Sequence, residues 1–551
     1  MKLNYLKTIK VGTAFAIIMV FWSAYDYVVP LLLENAFGLS NSMRGLIMGL
    51  DNLLSLFMLP LFGKISDKIT TKFGKRTPFI VIGTLITVAL MIFVPVTAQN
   101  QLNQAMDLRE EITDTFEPSY SYTDDKGVTY DDEGIYSMLY DMGAENADYC
   151  DRQYLSNNGI DTKEEYLQIA LSGKDSEGEF TDDYNKFVKT GIKNYASKQV
   201  ELKITQHHPE TIAIYMIILF FVLVAMATFR SPAVALMPDV TPKPLRSQAN
   251  AMINLAGGAG GAIAFIIYTV VLSINPTGYV AVFGLIALAM VLLLITFLLL
   301  VKEPRLVQEC ADQCADYGIS NDDEPEADTA EEAAVEAANT EKHKKAKMVS
   351  FSLILASIFM WFLGYNAVTS NLSIYITKTL NLSAGLGGVI TGVSMGISAI
   401  AFIPVGYLAV KIGRKKSIMI GFALAVVSFV LVFLFAANYN TAVAILFTVF
   451  YLIAGFGLII ANVNTFPMVV ELSNTKNIGK YTGLYYTATM SAQAITPYIA
   501  GLIMDAFGNK YLFIYSAVCI IVGIVLMYFV RHGDSRALPP KSKLELLGAD
   551  D

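Results

Sequence analysis

The chain has 551 residues, of which 54% are hydrophobic and only 16% charged, and its formal net charge is −8; its mean hydropathy is +0.49. Soluble proteins carry about 25% charged residues, so a single water-surrounded core is excluded and the chain reads as a membrane protein. Nothing in its charge pattern points to nucleic acid.

A helix needs about 20 residues to cross a hydrocarbon core of about 30 Å. Apolar runs of that kind fall at 11–35, 43–66, 78–97, 211–236, 250–273, 278–301, 349–370, 384–410, 417–437, 441–467, 482–504 and 511–530. That predicts an all-α membrane protein with twelve spans and both termini on one side. Lys2, Lys7 and Lys10 precede span one as in a signal peptide, but the apolar run is too long and lacks a small-residue cleavage site, so the span is read as retained. Lys64, Lys68, Lys72, Lys75 and Arg76 follow span two; Arg230, Lys243 and Arg246 follow span four; Lys411, Arg414, Lys415 and Lys416 follow span eight. The short loops at 36–42, 274–277 and 438–440 carry neither Lys nor Arg. By the positive-inside rule both termini are cytoplasmic, and a plasma membrane is the expected location.

In chain order, spans one to three occupy 1–97, and an extracytoplasmic insert, 98–209, separates them from spans four to six at 210–301. A cytoplasmic linker, 302–347, leads to spans seven to twelve at 348–531 and a cytoplasmic tail at 532–551. The insert holds 23 acidic and 10 basic side chains and many tyrosines. Segments starting at Asp161 and Asp183 place apolar residues at helical spacing behind an acidic start, which allows a small helical cap. Such a cap reads either as a lid or glycan-gathering surface with stacking Tyr rings, or as a solvated elaboration. The linker runs acidic from Asp322 to Glu341, then basic at Lys342, Lys344, Lys345 and Lys347, and reads as flexible with a headgroup-facing end. Cys310 and Cys314 have no matching Cys or His pair nearby, so no metal site is expected, and no disulfide is suggested for Cys150 or Cys519.

The halves repeat one another. Gly63-Lys-Ile-Ser-Asp67 followed by Gly74-Lys-Arg76 after span two is echoed by Gly406 to Lys411 and Gly413-Arg414 after span eight. Trp22 with Tyr25-Asp26 in span one is echoed by Trp361 with Tyr365-Asn366 in span seven, and Arg230 stands nine residues before Asp239 as Asn462 stands before Glu471. Two halves of this kind pack around a central cavity. The loop motifs, with their order and placement, resemble the major facilitator superfamily of secondary transporters. Trp22-x-x-x-Asp26-x-x-x-Pro30, Gly63 through Pro78, and Arg230-Ser-Pro232 through Asp239 with Arg246-Ser-Gln-Ala-Asn250 look like the glycoside and sucrose-type sugar:cation symporters within it.

That resemblance implies uptake of a sugar or glycoside, a di- or oligosaccharide, coupled to a proton or else to sodium, with no other cofactor and no enzyme activity. Plant sucrose carriers place an Arg where this chain has Val234; Arg230 lies one helical turn earlier. Related sugar symporters carry an acidic residue where Asp26 stands. Asp26 and Asp51 both fall about 15 Å deep at about 1.5 Å per residue, and a carboxylate there must be protonated, paired or facing water. Both are coupling candidates; for Asp51, hydrogen bonding to Asn52 is an equal reading. Sugar recognition needs aromatic faces and hydrogen-bonding groups in an apolar cavity. The candidates are Trp22, Tyr25, Arg230, Asn254, Trp361, Tyr365, Asn366, Asn462, Asn464, Tyr485, Tyr486 and Gln493, each of which could instead be interhelical glue. Gly63, Asp67, Gly74, Arg76, Asp239, Arg246, Gly413, Arg414 and Glu471 are the gating candidates, with a positive-inside anchor as the plain alternative.

A monomer in the bilayer with a small sugar as its partner is the reading. A same-fold transporter of another solute, such as a drug exported by proton antiport, and a non-transporting sensor built on the insert remain open.

Overall fold

The computed structural model describes residues 3–116, 122–123, 127, 129–174, 176–177, 179–242, 245–316, 341–393, 412–435, 441–470, 472 and 478–532. The first half contains α1 (Tyr5–Phe37), α2 (Asn41–Lys68), α3 (Thr77–Met91) and its continuation α4 (Phe93–Thr115), α10 (Pro209–Asp239), α11 (Arg246–Ile274) and α12 (Tyr279–Leu300). Between α4 and α10 lie a two-residue strand pair, Tyr122–Thr123 with Thr129–Tyr130, and α5 (Asp132–Met142), α6 (Arg152–Asn157), α7 (Lys163–Leu171), α8 (Asp182–Phe187) and α9 (Lys189–Val200). After α12 comes α13 (Glu303–Asp316). The second half contains α14 (Glu341–Ile374), α15 (Ala384–Val393), α16 (Arg414–Phe435), α17 (Thr441–Val470), α18 (Ile478–Phe507) and α19 (Leu512–Phe529).

Among the described residues, ten helices are long and apolar enough to cross a membrane. Of the twelve expected spans, the eleventh falls on α18, thirty residues with Pro497 inside. Of the eighth, 384–410, the first ten residues form α15 and the rest lie outside the described residues. Helices suit this setting because they satisfy their backbone groups internally. Their ends follow local chemistry. Asn4 and Ser40 cap α1 and α2 by accepting the Lys7 and Met43 amides. Gly38, at φ 61°, closes α1 in the left-handed conformation and returns its N–H to Glu34.

Each half has its own core: one built on Phe21, Tyr25, Phe229 and Tyr268, the other on Trp361, Tyr375, Phe422 and Phe513. The halves meet along α2 and α18 through small residues. A Cβ on Gly45 would strike the Pro497 carbonyl, one on Gly49 the Ala494 carbonyl, and one on Gly501 the Asn41 carbonyl. Gly385, Gly388 and Gly392 of α15 approach Ser273, Thr269 and Phe265 of α11 as closely. The Tyr27 hydroxyl donates to the Ala384 carbonyl, and Asp505 accepts the Asn41 and Ser42 amides at 2.8 Å each. The seam is therefore shut at the end of the bundle where α1 turns into α2.

Two segments differ from their sequence reading. The helix that carries the third span does not end at 97. Its helical run continues through α4 to Thr115 and carries the following segment, whose own core takes in Phe116, Tyr136, Leu139, Tyr166, Tyr184 and Tyr195. Tyr136, Tyr166, Tyr184 and Tyr195 are therefore core residues rather than an exposed stacking surface. The start of the linker is also ordered. Leu306, Cys310 and Cys314 recur every fourth residue on α13, both cysteines are buried, and Lys7 pairs with Glu309 at 3.2 Å.

Candidate functional site

Trp22, Tyr25 and Asp26 lie three and four residues apart on α1 and so share one side of it. Trp22 meets Tyr25 edge-on at 5.4 Å, and the Arg230 guanidinium of α10 lies 5.1 Å over the Trp22 ring, close enough for a cation–π attraction. Arg230 is within electrostatic reach of both Asp26 and Asp51. Asp26 is accessible although its chain neighbours Tyr25 and Tyr27 are buried. Asp51 is 7% exposed and accepts a hydrogen bond from the Asn52 side chain at 2.9 Å. Trp22 Nε1, the Tyr25 and Tyr215 hydroxyls and Asn254 Nδ2 are buried without a hydrogen-bond partner among the described residues. Such groups cost about 1–3 kcal/mol each when left so, and they suit a polar solute.

In the second half the candidates do not all gather. Trp361 is 2% exposed and packs on Phe362 and Phe422 in the core. Tyr365 is 37% exposed, 5.7 Å from Trp361. The Asn366 and Asn464 amides donate to the Phe362 and Ile460 carbonyls of their own helices at 2.8 Å. Tyr485 packs edge-on against Phe466 at 5.1 Å and against Tyr486 at 5.4 Å. Asn462 and Gln493 are half-buried, Gln493 directly before the Ala494 that Gly49 approaches.

Tyr451 comes within electrostatic reach of both Tyr365 and Tyr268, and Tyr268 stacks on Tyr27 at 4.5 Å. Sequence reasoning missed Tyr268 and Tyr451. Their signal was a lone hydroxyl in mid-span, shared with many structural tyrosines.

The loop after α2 forms a second cluster. Arg76 pairs with Asp67 at 2.6 Å and with Asp239 of α10 at 2.7 Å, and donates to Ser66 at 2.5 Å. Burial works against its charge, but the hydrogen bond and attraction of Asp239, then of Asp67, outweigh it and hold the guanidinium above its ordinary range. The Glu303 carboxylate accepts the backbone amides of Lys75 at 2.6 Å, Arg76 at 2.9 Å and Thr77 at 2.7 Å. It thus caps the start of α3, where a negative group is favoured. Gly74, at φ 109°, leaves room for that carboxylate. Gly63 packs near Ser231, whose Oγ would lie 3.0 Å from an added Cβ.

Glu303 and Ser66 were not foreseen; the available signal was an acidic residue at the basic end of span six. Gly413, at φ 88°, repeats Gly74, and Arg414 donates to the Pro467 carbonyl at 3.4 Å. Glu471 and the stretch from Gly406 to Lys411 lie outside the described residues, as does the side chain of Arg246.

The family model described as Major Facilitator Superfamily matches residues 207–468 and 354–549, and that described as MFS/sugar transport protein matches 11–105. Glycerophosphoinositol transporter 1 of Saccharomyces cerevisiae is 28% identical over 144 residues, 24% of this chain and 26% of that protein, so the match spans about a quarter of that relative. A D-xylose-proton symporter structure is similar with a TM-score of 0.56 at 13% identity, covering 96% of this chain and 99% of the other. The inward-open xylose transporter XylE from E. coli scores 0.54 at 13% identity, covering 98% and 99%. The nucleoside transporter NupG scores 0.51 at 10% identity, covering 95% and 100%. At these identities the structures share the fold, and the family models, which between them span most of the sequence, fix the kinship: the chain belongs to the major facilitator superfamily of membrane transporters and is not an enzyme.

Proposed function

We propose that this transporter imports a sugar or glycoside, a di- or oligosaccharide, by proton-coupled symport with alternating access across a plasma membrane, its termini cytoplasmic and the 98–209 segment outside. The observation that carries this reading is the meeting of Asp26, Asp51 and Arg230 beside Trp22. One guanidinium balances one carboxylate, and an uncompensated charge in the bilayer interior costs several kcal/mol. The second carboxylate is the group that takes up and releases the proton, and Asp26, the more accessible of the two, is the one we assign to exchange it. Trp22 offers a ring face to a sugar, and Tyr25 and Asn254 offer free hydrogen-bonding atoms.

The test is uptake of labelled mono- and disaccharides into proteoliposomes under a proton or a sodium gradient, for the parent protein and for Asp26→Asn. Proton-driven accumulation that disappears in the variant, with exchange retained, supports the proposal. No gradient-driven sugar uptake by folded protein overturns it.

A second reading is favoured by the kinship with a glycerophosphoinositol transporter together with Arg230, since a buried guanidinium recognises phosphate well. A glycerophosphodiester in the same panel separates the two.

A further inference from the structure

The 98–209 segment plays no part in the central site. We propose that it is a bolt: a rigid body fixed to the first half that fastens the ends of α14 and α18 of the second half, and that must let go before the bundle can open on that side. This rests on the alternating access of the superfamily and not on the identity of the solute.

Rigidity comes first. The segment has its own core, enters on the helical run that continues α3, and leaves through α9 and a π-helical turn, Glu201–Thr205, just ahead of α10. It therefore moves with the first half. Its grip on the second half is polar. Asp148 accepts the Asn509 amide at 2.8 Å, Asn146 donates to the Asp505 carbonyl at 3.2 Å, and Lys510 pairs with Asp151. The turn after α18 is shaped for this: Gly508, at φ 102°, leaves Asp148 Oδ1 at 3.0 Å from where a Cβ would stand.

Past α14, Asn381 has a positive φ of 53°, unusual for any residue but glycine. Its side chain accepts from Lys193 at 2.7 Å and donates to Thr190 at 2.6 Å. Lys378 reaches both Ser197 of the insert, at 3.2 Å, and Glu34 of α1, at 2.5 Å.

A cavity of about 240 Å³ lies among these groups, bounded by Glu34, Arg44, Asp148, Lys378 and Asp505. With Arg109, which also faces Glu34, the cations Arg44, Arg109 and Lys378 balance the carboxylates Glu34, Asp148 and Asp505. The cluster needs no added ion, which fits a fastening between parts of the chain. Because each hydrogen bond exchanges for one with water when it breaks, such a joint opens at a cost an apolar seam would not allow.

The test uses Thr369→Cys as a reporter, a half-buried position one turn after Tyr365 on the same side of α14, labelled by a membrane-impermeant maleimide in proteoliposomes whose insert faces outward; the native cysteines are buried. Asn381→Ala together with Lys510→Ala should raise the labelling rate about tenfold for the hydrogen bonds and ion pair removed. Conversely, Thr190→Cys with Asn381→Cys, oxidised to a bridge, should slow labelling below the reduced form, and reductant should restore it. A folded double variant labelled at the parent rate overturns the proposal. Should that variant not fold, the bridge decides, and unslowed labelling with the bridge complete by mass spectrometry overturns it equally.

Discussion

Gly45→Ala tests whether the α2–α18 seam is the joint that opens. A Cβ at this position would fall on the Pro497 carbonyl and 2.8 Å from the Tyr498 nitrogen. Both are backbone atoms, so neither can turn aside. Overpacking of this kind costs about 1–3 kcal/mol, and only the shut seam bears it. Alanine also favours the helix by about 1 kcal/mol over glycine, but in the shut and open states alike, so that term cancels. The shut-to-open ratio should therefore fall about 5- to 150-fold.

The Thr369→Cys reporter reads this as faster labelling from the insert side. Gly258→Ala on α11 is the control: it makes the same chemical change, but nothing lies within 4 Å of the added Cβ, so its labelling should match the parent. Equal rates for Gly45→Ala and the parent, in folded protein, would refute the assignment of this seam.

Glu303→Ala leaves the Lys75, Arg76 and Thr77 amides without their acceptor and should destabilise the protein by about 3 kcal/mol, read as a lower melting temperature in detergent; Glu303→Gln should recover part of it, and an unchanged melt rejects the cap. Asp67→Asn removes one of the two carboxylates on Arg76 and should slow transport while solute binding persists; parallel loss of both counts against a gating role. Burial lifts the Asp148 carboxyl to about 6, with the Asn509 amide and Lys378 pulling down, Asp505 pushing up and Arg44 pulling down. Its folded value lies above the ordinary 3.8, so its contribution to stability is present below about 4 and lost as pH rises through about 6. Asp148→Asn should therefore raise the melting temperature relative to the parent more at neutral pH than at acid pH, and a pH-independent difference refutes this.

The spans that fall on the described helices were legible because hydrocarbon thickness and backbone satisfaction leave few solutions. Asp26, Asp51 and Arg230 were legible one by one as charged groups in apolar runs, whereas their meeting beside Trp22 depends on the packing of α1, α2 and α10. Asp67, Arg76 and Asp239 could be read from the repeat. Glu303 could not, because a cap supplied from the far end of span six depends on the turn geometry at Gly74. Trp361 shows the opposite limit: the repeat pairs it with Trp22, yet local packing on Phe422 settles where its ring goes. The ties of Asp148, Asp151 and Lys193 to the second half join residues about 190 to 360 positions apart, and no local pattern in a solvated acidic segment announces them.

Among the described residues the insert's core is built from Ile112 to Ala196 with Leu108 packed against it, whereas its partners on the second half stand at Lys378, Asn381, Asp505, Asn509 and Lys510. During synthesis this segment is finished long before those partners leave the ribosome. It can fold as soon as α10 has been made, and then wait as a docking face for the last helices to arrive. Assembly of the two halves thus has a direction, and a nascent chain arrested after α12 should already shield the insert from protease while the partner half does not yet exist.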